Sequence, residues 1–79
     1  MSQDATILLV DDEANIRLTL GVLLERAGYS VTAAENGETA VELLERQTFD
    51  LMVVDLKMPG MDGMQVVAAA RQRQPDMAI

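Results

Sequence analysis

The sequence predicts an α/β fold in which a parallel sheet of three strands alternates with three helices, followed by the start of a fourth strand. Two short, continuous apolar runs, at residues 7–10 and 51–54, have the length and composition of strands buried on both faces. Apolar residues at helical spacing follow each run, and Gly or Pro punctuates the segments. Strands that alternate with helices join through right-handed crossovers, so we expect the sheet to be parallel. The 79 residues fit one small domain.

The first strand and helix are predicted within residues 7–27. Residues 7–10 (ILLV) form the strand, which Thr6 opens and two acids close. The helix is predicted over residues 14–27, and Gly28 follows it where a left-handed cap is expected. Five apolar residues recur at helical spacing and form an apolar stripe, with charged residues such as Arg17 and Glu25 off it: Ile16, Leu20, Leu23, Leu24 and Ala27.

The second strand and helix are predicted within residues 30–46. Residues 30–34 (SVTAA) form the strand, which is supported mainly by the β-branched Val31 and Thr32. Asn36 is predicted to cap a helix over residues 37–46. Three apolar residues of this helix are predicted to face inward and three acids to face solvent: Ala40, Val41 and Leu44, and Glu38, Glu42 and Glu45.

The third strand lies in FDLMVVD, residues 49–55, and a sharp Met-Pro-Gly turn follows it. Asp62, with Gln65 three residues later, has the spacing of a capping box and opens a helix over residues 63–73. This helix is predicted to end before Pro75. The last four residues, DMAI, have the pattern of the start of a fourth strand.

Composition narrows the chemistry that the chain can carry. A formal charge of −7 argues against binding to nucleic acid or to an anionic membrane, because phosphate neutralisation needs clustered Lys and Arg. Proteins or a cation are more suitable partners. The chain has no Cys and no His, so carboxylates must carry any chemistry. The N-terminus lacks a basic region and its apolar run is short, which favours a cytosolic location.

Three acids are predicted to meet where the strands end. Asp11 and Asp12 follow the first strand, and Asp55 ends the third. Ligands of such sheets bind at the carboxyl ends of the strands, so neighbouring strands would bring these acids together. No Lys, Arg or His is expected close enough to offset them, and grouped carboxylates then favour a bound cation, best Mg²⁺. Asp55, before the sharp turn, is the best-placed nucleophile for a phosphoryl group.

Structural roles explain several of these residues equally well. Asp12 could merely cap the first helix, and Asp62 is expected only to cap the third. Lys57 is most simply solvated. Three methionines near the turn are better interpreted as packing or surface residues than as ligands: Met58, Met61 and Met64. From spacing alone, both the metal-assisted phosphoryl hypothesis and the structural one stay open.

Three segments resemble the receiver domain of two-component response regulators: ILLVDDEANIR, GYSVTAAENGETAVELL and FDLMVVDLKMPGMDG. Their order and spacing match over essentially the whole chain, so residues 1–79 are predicted to form a partial receiver domain. The resemblance implies a flavodoxin-like (CheY-like) sheet with strand order 2-1-3. It also implies that Asp55 accepts a phosphoryl group from a phosphohistidine on a sensor histidine kinase. Asp11 and Asp12 would form an acidic pocket, with Asp12, Asp55 and the backbone carbonyl of Lys57 binding Mg²⁺.

The same resemblance implies that parts of the receiver site lie outside this sequence. A receiver has five strand–helix units, with a Ser or Thr after the fourth strand and a Lys after the fifth. The chain ends before both positions, and Lys57, its only lysine, lies in the loop after the acceptor. Phosphorylation is therefore expected to be impaired. The loop DLKMPGMDG also resembles receivers of nitrogen-regulator-type transcription regulators, which suggests a role in transcription.

Two other hypotheses compete with a phosphoacceptor. A half-domain could be a self-association module, because the third strand would be an open sheet edge and apolar residues such as Val66, Val67 and Ala70 would face water. A homodimer could then form by pairing of third strands or by exchange of residues 76–79. A hydrolase of the haloacid dehalogenase type expects a second Asp two positions after the nucleophile, and Lys57 occupies that position.

Overall fold

The computed structural model describes residues 5–79 and contains three parallel strands that alternate with three helices. The elements are β1 Thr6–Val10, α1 Ala14–Arg26, β2 Ser30–Ala34, α2 Gly37–Arg46, β3 Leu51–Val54 and α3 Gly63–Arg73. The strand order is β2-β1-β3. This arrangement confirms the predicted fold class.

The central strand β1 sets the position of the other two. Val10, its last residue, pairs with Ala34 of β2 and with Val54 of β3. All three strands therefore finish level at one end of the sheet, which we call the carboxyl end. Four residues of β1 are almost fully buried because strands flank β1 on both sides and helices cover both faces: Ile7, Leu8, Leu9 and Val10.

The main core lies between one face of the sheet and the helices α2 and α3. Leu8 and Val10 of β1 contribute to it, and Phe49 and Met52 enter it from the third unit. Both helices bring small and medium apolar side chains that are nearly inaccessible to water: Ala40, Leu44, Val66 and Ala70. The inward positions predicted for Ala40 and Leu44 are confirmed. Exposure of Val66 and Ala70 was predicted wrongly, because α3 packs beside α2 and buries both.

Helix α1 covers the opposite face of the sheet loosely. It contacts β1 and β2 but no other helix of residues 5–79. None of its residues is buried, and Ile16 and Leu23 are 37% and 56% exposed. The apolar stripe of this helix is therefore only partly covered. A helix that lies on a sheet without a neighbouring helix buries a narrower stripe than the apolar pattern suggests.

The C-terminal segment pairs with the outer side of β3. Ala78 forms a parallel bridge with Leu51. The Met52 N–H donates to the Ala78 carbonyl at 2.8 Å, and the Ala78 N–H donates to the Asp50 carbonyl at 3.1 Å. Residues 76–79 thus begin a fourth strand as predicted. The prediction of an open edge along β3 is wrong over its first half, where this bridge satisfies the backbone groups.

Among residues 5–79, none of the helices combines the length and apolar character that a membrane crossing requires.

Candidate functional site

Three carboxylates meet at the carboxyl end of the sheet. Asp11, Asp12 and Asp55 each offer one oxygen, and these oxygens lie within 4.8 Å of one another. Backbone bonds of the sheet continue into this end, since the Asp11 N–H donates to the Ala34 carbonyl at 3.1 Å and the Asp55 N–H donates to the Val10 carbonyl at 2.9 Å. The predicted meeting of the three acids is confirmed. The level ends of β1 and β3 cause it.

Two of the acids use one oxygen to shape their own loops. The Glu13 N–H donates to Asp11 Oδ1 at 2.9 Å, and the Lys57 N–H donates to Asp55 Oδ1 at 2.9 Å. Each bond spans two residues and folds the chain into an Asx turn. The second oxygen of each carboxylate is left for a ligand. Both side chains are thus held in place before anything binds.

Asp12 is the most accessible acid of the cluster. Its side chain is exposed and makes no hydrogen bond within residues 5–79. The residue at the N-cap of α1 is Glu13, whose side chain makes no capping bond. The alternative in which Asp12 merely caps the first helix is therefore wrong. The carboxylate that accepts a backbone N–H at the start of this helix is Asp11, which binds the Glu13 N–H. The Asp12 carboxylate is left to face a ligand.

Arg17 supports the backbone of the loop that carries Asp11 and Asp12. Its Nη1 donates to the backbone carbonyl of Asp11 at 2.8 Å, and the residue is half-buried on α1. This bond is to a backbone carbonyl, and within residues 5–79 the only ion pair is the one between Arg73 and Glu45, so Arg17 forms none with the three carboxylates. The guanidinium holds the loop between β1 and α1 and adds a positive charge beside it. The first turn of α1 places Arg17 there, a position that helical spacing could have indicated.

The loop between β3 and α3 completes the site. Met58 is buried in the main core and anchors the loop, whereas Met64 is 60% exposed, so these methionines are packing and surface residues as predicted. Gly60 has a positive φ of 73°, which favours glycine. The Asp62 and Gln65 side chains form the predicted capping box. These contacts fix the backbone of the loop that follows Asp55.

The donor set of the cluster fits a hard divalent cation. All three side chains supply oxygen, and an exposed member leaves room for water. Mg²⁺ prefers oxygen ligands and keeps several waters, and it is usually held by one or two carboxylates. The Lys57 backbone carbonyl follows Asp55 in the same loop, and its role as a fourth ligand stays a prediction.

Comparison with known proteins gives a family match. The family model described as the response regulator receiver domain matches residues 7–79 of this chain. The transcriptional regulatory protein GlrR of Escherichia coli K12 is 43% identical over 75 residues, which cover 95% of this chain and 17% of GlrR. The response regulator receiver protein CpdR of Brucella abortus is 41% identical over 73 residues, which cover 92% of this chain and 61% of CpdR. The chain thus spans less than two thirds of either relative.

A solved structure gives the same result for the fold. The response regulator TrrA of Thermotoga maritima, crystallised in complex with Mg²⁺ and BeF, superimposes with a TM-score of 0.87 at 40% sequence identity. The aligned region covers 92% of this chain and 64% of TrrA. Sequence and structure comparisons therefore agree over nearly all of the chain.

Proposed function

This chain belongs to the family of response regulator receiver domains, and we propose that it accepts a phosphoryl group on Asp55 during two-component signal transduction. The observation that carries the proposal is the cluster of Asp11, Asp12 and Asp55, whose oxygens lie within 4.8 Å of one another. A phosphohistidine on a sensor histidine kinase would be the donor. Receiver domains are phosphoacceptor modules and not enzymes, so the signal is the phosphorylated state itself.

Asp55 supplies the nucleophile. Its Oδ1 is engaged by the Lys57 N–H, so the second oxygen would attack the phosphorus atom while the bond from phosphorus to the histidine nitrogen breaks. The product is an acyl phosphate on Asp55 and a free imidazole on the donor. Asp12, Asp55 and the Lys57 carbonyl would hold Mg²⁺, with Asp11 completing the acidic pocket. When bound, Mg²⁺ offsets charge on the transferring oxygens.

Transfer to this chain by itself is expected to be slow. Lys57, the only lysine of these 79 residues, lies in the loop just after Asp55, and within residues 5–79 its side chain makes no ion pair, so we expect no lysine of this segment to stabilise charge on the phosphoryl group. One preorganised donor of that kind contributes roughly 3 kcal/mol, or about a hundredfold in rate. We propose that occupancy of Asp55 is correspondingly low compared with a receiver of full length.

Control of transcription in the cytosol is the setting that we propose for this phosphorylation. GlrR, one of the relatives, is named a transcriptional regulatory protein. The formal net charge of −7 argues that this segment does not bind DNA directly. Phosphorylation would then act on DNA only through another part of a longer protein.

Labelling by acetyl phosphate tests the phosphoacceptor proposal. We expect intact-mass analysis to detect a single added phosphoryl group when Mg²⁺ is present, and none when EDTA removes the metal. Asp12→Asn should lower labelling about fivefold or more at the same Mg²⁺ concentration, because a carboxylate near a cation contributes on the order of 1–4 kcal/mol in exposed settings. Asp76→Asn makes the same change at an exposed position outside the cluster and should label like the wild type. Labelling that persists in EDTA would contradict the metal site.

A second candidate function is self-association, which the outer side of β3 supports. The C-terminal bridge reaches Leu51, and within residues 5–79 no strand pairs with the outer side of β3 beyond it, at Val53 and Val54. Unpaired strand edges recruit other strands. Residues 76–79 could also exchange between copies, since they would make the same bridge to a second β3. Either route gives a homodimer with a two-fold axis.

Light scattering coupled to size exclusion at micromolar concentration tests this association. We expect a dimer or larger assembly for the wild type. If third strands pair, Val53→Lys should be a monomer, because a lysine on an edge strand opposes pairing; if residues 76–79 exchange, Val53→Lys should remain a dimer. Leu18→Lys is the matched control. Leu18 is 69% exposed on α1, away from β3, so this change should leave the assembly intact. A wild-type monomer that melts cooperatively would rule the proposal out.

A further inference from the structure

We propose that Gly63 is a positioning residue for Asp55, and this inference rests on the phosphoacceptor function proposed above. The missing side chain of Gly63 lets the first turn of α3 lie directly against the peptide unit that joins Asp55 to Leu56. This contact would fix the acceptor carboxylate relative to Asp11 and Asp12.

The close approach is between backbone atoms. A Cβ built on Gly63 would lie 2.9 Å from the Asp55 carbonyl carbon, and nearer still to the Asp55 carbonyl oxygen and the Leu56 Cα. Gly63 is buried, and its N–H donates to the Leu56 carbonyl at 3.3 Å. Its φ is not positive, so glycine is required here for space and not for backbone conformation. Backbone atoms cannot rotate away as a side chain would.

The backbone at Asp55 and the helix α3 are each held in place by further contacts. Asp55 is tied to the sheet by its N–H bond to the Val10 carbonyl at 2.9 Å. On the other side, Val66 and Ala70 of α3 are fully buried in the main core, which prevents the helix from moving outward freely. A methyl group at position 63 would therefore have to displace the Asp55 backbone or the start of α3. A shift of about 1 Å in a reacting group can lower reactivity roughly a hundredfold.

The other glycines of the chain provide a graded comparison. A Cβ on Gly37 would meet the Met61 Cβ, Cγ and carbonyl oxygen, each at 2.9 Å, so it would disturb the same loop without contacting Asp55. A Cβ on Gly21 would meet nothing within 4 Å. Of these three glycines, only Gly63 has a position at which an added Cβ would clash with Asp55.

Mg²⁺ titration followed by amide chemical shifts tests the inference on the whole chain. We expect Gly63→Ala to weaken Mg²⁺ binding at least tenfold, Gly37→Ala to weaken it less than threefold, and Gly21→Ala to leave it unchanged. Ala70→Gly destabilises the same helix away from the site, so it should lower the melting temperature while the folded chain binds Mg²⁺ normally. Wild-type affinity in a folded Gly63→Ala chain would overturn the proposal.

Two further measurements keep the result decisive. If Gly63→Ala does not fold, Gln65→Ala replaces it: this change removes the oxygen that accepts the Asp62 N–H at 3.0 Å and loosens the start of α3 without changing charge. Unchanged Mg²⁺ affinity in Gln65→Ala would then overturn the inference. If the wild type itself binds no Mg²⁺, the proposed function fails, and crystal structures decide the positioning role separately. An unmoved Asp55 carboxylate in Gly63→Ala would overturn it.

Discussion

Asp55→Asn is expected to abolish labelling by acetyl phosphate and to leave the fold intact. The amide has nearly the same shape as the carboxylate, and its oxygen can still accept the Lys57 N–H that shapes the loop. It lacks the negative oxygen that forms the acyl phosphate. Intact-mass analysis after incubation with acetyl phosphate and Mg²⁺ measures the change, which should be a complete loss of the phosphorylated species.

The same experiment assigns the site among the 13 acidic residues of the chain. Asp11 lies in the cluster with Asp55 but has one oxygen committed to the Glu13 N–H at the entrance to α1. Asp11→Asn should therefore reduce labelling without abolishing it. A phosphoryl group that persists on Asp55→Asn would show that a different carboxylate is the acceptor, and the proposed role of Asp55 would be lost.

Most elements of the fold could be predicted from local sequence signals. The Asn36 side chain accepts the Thr39 N–H at 2.7 Å, which is the cap predicted for α2. Gly28 has a positive φ of 101° after α1, where a left-handed cap was expected. Such signals involve residues within one turn of each other, so they depend little on the remainder of the chain.

Burial was harder to predict because it depends on which elements pack together. Helical spacing identified an apolar side of α1, yet Leu23 is exposed because no helix of residues 5–79 lies beside α1. The opposite error occurred on α3. Val66 was expected to face water, but α2 packs beside α3 and removes it from solvent. Periodicity shows which side of a helix is apolar, and the neighbouring elements decide how much of that side is covered.

The acidic cluster could be predicted from the order of strands and helices, whereas the residues that hold its loops in place could not. Strand ends and a parallel sheet were sufficient to bring Asp11, Asp12 and Asp55 together. The bond from Arg17 to a backbone carbonyl and the space left by Gly63 depend on the path of the loops in three dimensions. Neither has a distinctive spacing of its own. Sequence therefore predicted the reacting groups better than the residues that orient them.

Leu8→Ala and Leu23→Ala should differ strongly in their effect on the free energy of unfolding. Leu8 lies in the central strand, is 0% exposed and belongs to the main core, so truncation leaves a cavity that costs about 2–5 kcal/mol. That is a large part of the roughly 5–15 kcal/mol that stabilises an ordinary domain. Leu23 is 56% exposed on α1, and surface substitutions usually change stability by about 0.5 kcal/mol or less.

The two variants remove the same atoms, so the comparison isolates burial. Thermal and urea unfolding, followed by circular dichroism, should give Leu8→Ala a melting temperature far below that of the wild type, at about 4–8 °C per kcal/mol for a chain of this size. Leu23→Ala should melt close to the wild type, since alanine also favours the helix. Equal destabilisation would show that α1 buries Leu23 against the sheet. The conclusion that α1 packs loosely on the sheet would then be wrong, because truncating a leucine is costly only where neighbouring residues cover its side chain.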